Sequence, residues 1–185
     1  MAASDRAPIG PFPPSVVGEA AEDDYDRLRR RVLRSLPYGL FVVGSRAGDR
    51  RNGMTINWVT QLAFDQKLVG IGVEGGALTC ELIREGGRFS LCTIAREDRT
   101  IVRKFTKPVE VDVVARTLNG FPYRDGVTGA PILERAVAYL DCEVRQEMQF
   151  GQHVFFVGEV VDAGFLHAED TPLLRMQDTR MDYGG

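Results

Sequence analysis

The stretch from Asn52 to Glu74, NGMTINWVTQLAFDQKLVGIGVE, limits the fold more than any other part of this chain. It reads as two β-strands joined by a turn. Over Met54 to Gln61 the pattern alternates, with Thr55 and Asn57 pointing one way and Met54, Ile56 and Trp58 the other. Leu68 to Val73 is apolar or glycine throughout, as a strand covered on both faces must be. A hydroxyl and an amide side by side, leading into a buried strand, make a wall suited to a flat, polar ligand. An ordinary barrel strand with one wet face has the same periodicity, so both readings stand at this point.

Composition narrows the classes. The 185 residues suit a single domain with a sizeable core, and 44% hydrophobic with 26% charged residues describes a water-soluble globular chain. Net charge is −3 with the basic residues dispersed, which removes the electrostatic footprint of a nucleic-acid binder. No apolar run reaches the roughly 20 residues that span a bilayer, and the first residues lack a basic-then-apolar signal pattern. Cys80, Cys92 and Cys142 are odd in number, widely spaced and outside any metal-ligand pattern. The expectation is a reduced, cytoplasmic protein with buried thiols and no metal.

Residues 1–22 hold Pro8, Pro11, Pro13 and Pro14 among alanines and acids, and read as a mobile leader to one domain over 23–185. A helix is expected from about Asp24 to Leu36, with Leu28, Val32, Leu33 and Leu36 on one stripe and Pro37 ending it. Gly39 to Ser45 is the first strand. After the central stretch, Glu74-Gly75-Gly76-Ala77 precedes a helix over Leu78 to Glu85, closed by Gly86-Gly87 where a left-handed cap belongs. Two glycines before a helix leave backbone N–H groups free to converge on an anion, and Thr79 adds a hydroxyl in the first turn. Glycine turns before helices also serve structure alone.

Arg88 to Ile94 is a further strand, and Ala95 to Phe105 a helix with Ile101, Val102 and Phe105 inward. Its Arg103-Lys104 pair forms a solvated face or reaches a phosphate. Lys107 to Leu133 is loop-rich, with Asn119-Gly120, Asp125-Gly126 and Gly129-Ala130-Pro131 as turn signals. Ala136 to Gln146 and His153 to Phe165 then form an antiparallel hairpin. The fold class is mainly β with short helices, a small closed or split β-barrel. No G-x-G-x-x-G follows a strand, so a Rossmann cofactor site is not expected.

Four segments together are similar to a known family: PYGLFVVGSRAGDRRNGMTINWVTQLAF, LTCELIREGGRFSLCTI, TGAPILERAVAYLDCEV and GQHVFFVGEVVDA. In order and spacing they resemble the flavin reductase-like family with the FMN-binding split barrel, over roughly Pro37 to Gly164. The resemblance implies a homodimer, FMN or FAD bound in a cleft near the subunit interface, and NADH or NADPH as the hydride donor. It further implies a monooxygenase as one recipient of reduced flavin.

Residue by residue, the family's flavin-contacting strand falls on Thr55, Ile56, Asn57 and Trp58, with Thr60 beyond it. Its phosphate-proximal loop falls on Gly75, Gly76, Ala77 and Thr79, where the glycine turn already places an anion. Its histidine in the last hairpin falls on His153, beside the flavin ring and the nicotinamide. This chain has Cys92 where many members carry an asparagine toward the ring, and Asp65-Gln66 where many carry a proline pair. Trp58, the only tryptophan, is a stacking platform or, on alternation, a core or interface residue. Two other classes remain: an electron carrier holding FMN without turnover, and a split barrel holding haem or a pyridoxal phosphate derivative. Haem is disfavoured because His153 and His167 are the only histidines.

Overall fold

In the computed structural model, residues 10–179 are described. Contacts divide the chain into two units, one holding the first helix, the other every strand. In the first unit, α1 spans Glu19–Arg34, begins after Gly18 at φ 93°, and buries none of its residues. It therefore starts earlier than expected: Glu19, Ala20, Ala21 and Glu22 are good helix formers with acids at the positive end. Of the rest of the expected leader, residues 1–9 lie outside the described residues and 10–18 precede the helix.

The second unit holds β1 (Phe41–Ala47), β2 (Arg50–Ile56), β3 (Val59–Gln61), β4 (Leu68–Glu74), α2 (Leu78–Gly86) and β5 (Arg88–Thr93). A 3-10 turn at Arg96–Asp98 and α3 (Thr100–Lys104) follow. Then come β6 (Val111–Asp112), β7 (Thr117–Leu118), β8 (Phe121–Asp125), β9 (Pro131–Leu133), β10 (Ala138–Phe150) and β11 (His153–Phe165). The expected loop over Lys107 to Leu133 is thus a sheet of its own, ordered β6-β7-β8-β9. Its strands are two to five residues long, too short for alternation to register against the turn residues between them.

The main sheet has the order β2-β1-β5-β10-β11-β4-β3, antiparallel throughout. Its two edge strands, β2 and β3, are consecutive in the chain. Only Asn57 and Trp58 lie between them, and three Cα steps reach at most about 11 Å. The sheet is therefore forced to curl until its edges meet, which makes the split barrel. The single strand expected over Met54 to Gln61 is two strands, and the break is the seam of the barrel. Each strand of the curled sheet sends apolar side chains inward, among them Val43, Ile56, Ile71, Phe89, Cys142 and Phe156, with Val59 packed against them. Cys80 and Ile83 of α2 close one end.

α2 ends as its glycines foretold: Gly87 caps it at φ 66°, and its N–H bonds the Ile83 carbonyl. Gly86 is required by packing, since a Cβ there would lie 1.9 Å from the Arg46 carbonyl oxygen of β1. The small sheet is held to the barrel by a buried carboxylate. Asp141 of β10 accepts from the Thr128 backbone N–H at 2.8 Å and from its hydroxyl at 2.5 Å. No helix among the described residues is long and apolar enough to cross a membrane.

Candidate functional site

The seam is where side-chain chemistry gathers. Trp58 leaves β2 and lays its indole across β4. Its carbonyl accepts the Gly72 N–H at 2.9 Å, and a Cβ on Gly72 would sit 3.0 Å from the indole Cε3. The bare glycine lets the ring lie close. His153, the first residue of β11, pairs in register with Glu74 at the end of β4. Its imidazole centroid lies 4.6 Å from that of Trp58, at an interplanar angle of 53°. Both rings are partly exposed, so together they form an open aromatic wall.

Beside this wall the chain turns through Gly75 and Gly76 into α2. The Gly75 N–H is committed to the Gln152 carbonyl at 2.8 Å, which fastens the turn to the loop before His153. Gly76 is exposed and a Cβ on it would meet nothing within 4 Å. Ala77 is the N-cap, and no side chain caps the helix. The Ala77 N–H is committed to the Glu74 carbonyl at 3.1 Å and the Cys80 N–H to the Ala77 carbonyl at 2.9 Å, which leaves the Leu78 and Thr79 amides as the N–H groups without a helix acceptor at the positive end of α2. Arg84 ties the helix to β10 through Glu147 and Gln149, each at 3.2 Å.

Asn57, the other seam residue, is 2% exposed and its Nδ2 has no hydrogen-bond partner. A buried amide donor left unpaired costs about 1–3 kcal/mol. An aromatic wall, an amide donor without a partner and an uncapped helix start suit a flat heteroaromatic with an acceptor edge and a phosphate tail.

Other residues expected at the ligand are placed differently. Thr79 is fully buried and accepts from Asn52 Nδ2 at 2.8 Å, so its hydroxyl braces α2 against β2 and has no surface for an anion. Cys92 lies inside β5 beneath β9, 1% exposed, its thiol pushed up to about 12 by burial. Thr55 donates its hydroxyl to the Val102 carbonyl at 2.6 Å, and its N–H to the Phe105 carbonyl at 3.0 Å. That side chain docks α3. Ile56 is in the core, and Thr60 is exposed on β3, bonded to the Gln61 carbonyl at 3.2 Å.

Trp58, His153, Gly75, Gly76 and Ala77 are therefore brought together, with Asn57 beneath at the seam. Gly72 and Gln152 were missed. An isolated glycine inside an apolar strand signals close approach, which pointed to Gly72; a backbone carbonyl leaves no sequence signal. Among the described residues no group of three or more His, Cys, Asp or Glu side chains is arranged to hold a metal.

Residues 33–184 match the flavin reductase like domain family, and the chain belongs to it. It is 31% identical over 147 residues to a ferric-chelate reductase (NAD(P)H) of Archaeoglobus fulgidus, covering 77% of this chain and 83% of that one. It is 31% identical over 140 residues to a high molecular weight rubredoxin of Moorella thermoacetica, covering 74% of this chain but 59% of that longer protein. Among solved structures, the NADH:FAD oxidoreductase of Streptomyces globisporus superposes with a TM-score of 0.66 at 26% identity, over 85% of each chain.

Proposed function

We propose that this chain is an oxidoreductase that uses NADH or NADPH to reduce FMN or FAD. The observation that carries the reading is the Trp58–His153 pair beside the bare Gly75-Gly76 turn, in a chain of the flavin reductase like domain family. Relatives named for NAD(P)H-dependent or NADH-dependent reduction support it.

Bound flavin supplies the hydride-accepting ring, so the protein needs neither a nucleophile nor a strong base. Its own residues bind and orient. The Gly76 and Leu78 amides at the start of α2 hold a phosphate, and the Asn57 amide donates to the ring edge. Trp58 and His153 present a face against which planar rings are held in order. Reduced flavin leaving this cleft is a reagent for a flavin-dependent monooxygenase. The open aromatic wall also leaves the cleft half covered in one chain, and a second copy of the protein completes it as a homodimer.

The test is a flavin titration followed by steady-state NADH and NADPH oxidation with FMN and FAD. Turnover over many equivalents in air is expected. A flavin that binds but accepts one equivalent or none identifies a carrier and overturns the reductase reading. At saturating flavin, His153→Ala is expected to lower turnover about tenfold, which is about 1.4 kcal/mol, while flavin affinity stays near that of the parent. Unchanged turnover returns His153 to a role in packing Trp58.

A further inference from the structure

Among the described residues of the second unit, most ion pairs give an arginine at least one carboxylate of its own. Arg84, Arg96 and Arg135 each meet one, and Arg50 and Arg145 each meet two. Each of the five has a contact at 3.2 Å or less. At Asp125 of β8 the ratio is inverted. Its Oδ2 lies 3.8 Å from Arg46 of β1, 3.4 Å from Arg51 of β2 and 3.3 Å from Arg116 in the β6–β7 turn. Charge-assisted bonds of this kind are normally about 2.7–2.9 Å long. One carboxylate is therefore shared among three guanidiniums and held closely by none. The cluster carries two positive charges in excess, in a chain of net charge −3.

The surroundings leave that excess in place. The carboxylate of Asp112 on β6 is committed to the Ala115 N–H at 2.8 Å, and Asp49 gives Arg51 its backbone carbonyl at 3.2 Å. Arg124 takes the other face of β8, over the Tyr139 ring at 4.7 Å. The Arg51 side chain is 8% exposed, and a charge so buried is costly unless it is well paired. Tyr123 is the floor, 2% exposed, with the Arg51 and Arg116 guanidiniums 5.9 Å and 5.8 Å from its ring centroid. Arg116 is held over it at φ 54°, a left-handed conformation uncommon for a residue with a side chain. Arg46 and Arg116 are 28% and 53% exposed, so the cluster opens to water on one side.

We propose that Arg46, Arg51 and Arg116 bind a phosphate dianion, free or as the phosphomonoester of a nucleotide, in competition with Asp125. The planar fork of each guanidinium matches a pair of phosphate oxygens, and a dianion balances the excess charge. The three arginines come from β1, β2 and the turn of the small sheet, so the bound phosphate fastens that sheet to the barrel. This site is distinct from the phosphate position at the start of α2. Along β2, Asn52 reaches Thr79 of α2, while Arg51 shares the opposite face with Gly53, which lies against Phe105 and Leu118. The site therefore stands whichever cofactor the barrel binds.

The test is calorimetric titration of the full-length protein with inorganic phosphate at about pH 8, where the dianion prevails, against chloride at equal ionic strength. Saturable binding is expected in the parent. Arg116→Gln, at an exposed position, is expected to weaken it about tenfold and to leave FMN affinity unchanged. Asp125→Asn removes the competing carboxylate and is expected to tighten it by a similar factor. Displacement of phosphate by NADP+ but not by NAD+ identifies a nucleotide 2′-phosphate as the source, and displacement by neither identifies the free ion. Three results would overturn the proposal: no phosphate binding, no gain in Asp125→Asn, or phosphate that FMN displaces and Arg116→Gln leaves as tight. The last assigns the anion to the turn before α2. None of the three touches the reductase reading, which rests on NADH and NADPH oxidation.

Discussion

At the scale of single residues, Asn57 joins stability to binding. Its Nδ2 is buried without a partner, so replacing it by leucine of similar volume removes a donor that folding leaves unsatisfied. Asn57→Leu is expected to leave the flavin-free protein as stable as the parent or more stable, while weakening flavin binding by about 0.5–1.5 kcal/mol. Thermal melts and a fluorescence titration check both signs; a less stable variant with unchanged affinity puts the amide outside the site. Cys92 sets an alkaline limit instead. Burial moves its thiol from 9.0 to about 12, so between those values the unfolded chain has released a proton that the folded chain keeps. Stability is intact below pH 9.0 and falls as pH rises, by about 1.4 kcal/mol per unit for this thiol. Urea unfolding on either side of pH 9.0 is expected to show a steeper alkaline loss in the parent than in Cys92→Ala. Equal slopes would place the titration elsewhere.

At the scale of elements, β4 and its neighbours show how glycine positions an aromatic side chain. Gly72 seats the Trp58 indole, and a Cβ there falls 3.0 Å from the ring. Gly72→Ala is therefore expected to tilt Trp58 away from His153, cost on the order of 1 kcal/mol by overpacking, and lower turnover along with it. Tryptophan emission and NADH oxidation, measured together, decide this; a shifted emission with full turnover would separate the indole from the chemistry. Much of this level was legible beforehand. Gly86-Gly87 marked the end of α2, and the apolar run Leu68 to Val73 marked β4, because capping and burial leave their signal inside the segment itself. Thr55 and Thr79 were read as ligand-facing because alternation and first-turn position say which side a hydroxyl takes. They cannot say that Val102 or Asn52 waits on that side.

At the scale of the whole molecule, the seam at Asn57–Trp58 closes the barrel and also sets the Trp58 ring against His153. This partly exposed aromatic wall is expected to be completed by a second copy. Light scattering with flavin bound should report a dimer at micromolar concentration, and a monomer that retains flavin would contradict that expectation. The sequence by itself determined the strands β1, β4, β5, β10 and β11, the bounds of α2, the buried thiols and the likeness over Pro37 to Gly164, since each is written in a local pattern of size, charge and period. Only the tertiary structure decided that Met54 to Gln61 is two strands, that β2 and β3 sit at opposite ends of one sheet, and that Trp58 meets His153 across 95 positions of chain. Periodicity tells a residue which face it shares with its near neighbours. Which distant strand supplies the facing atoms is settled by the closing of the sheet, when two covalent neighbours must join its two edges.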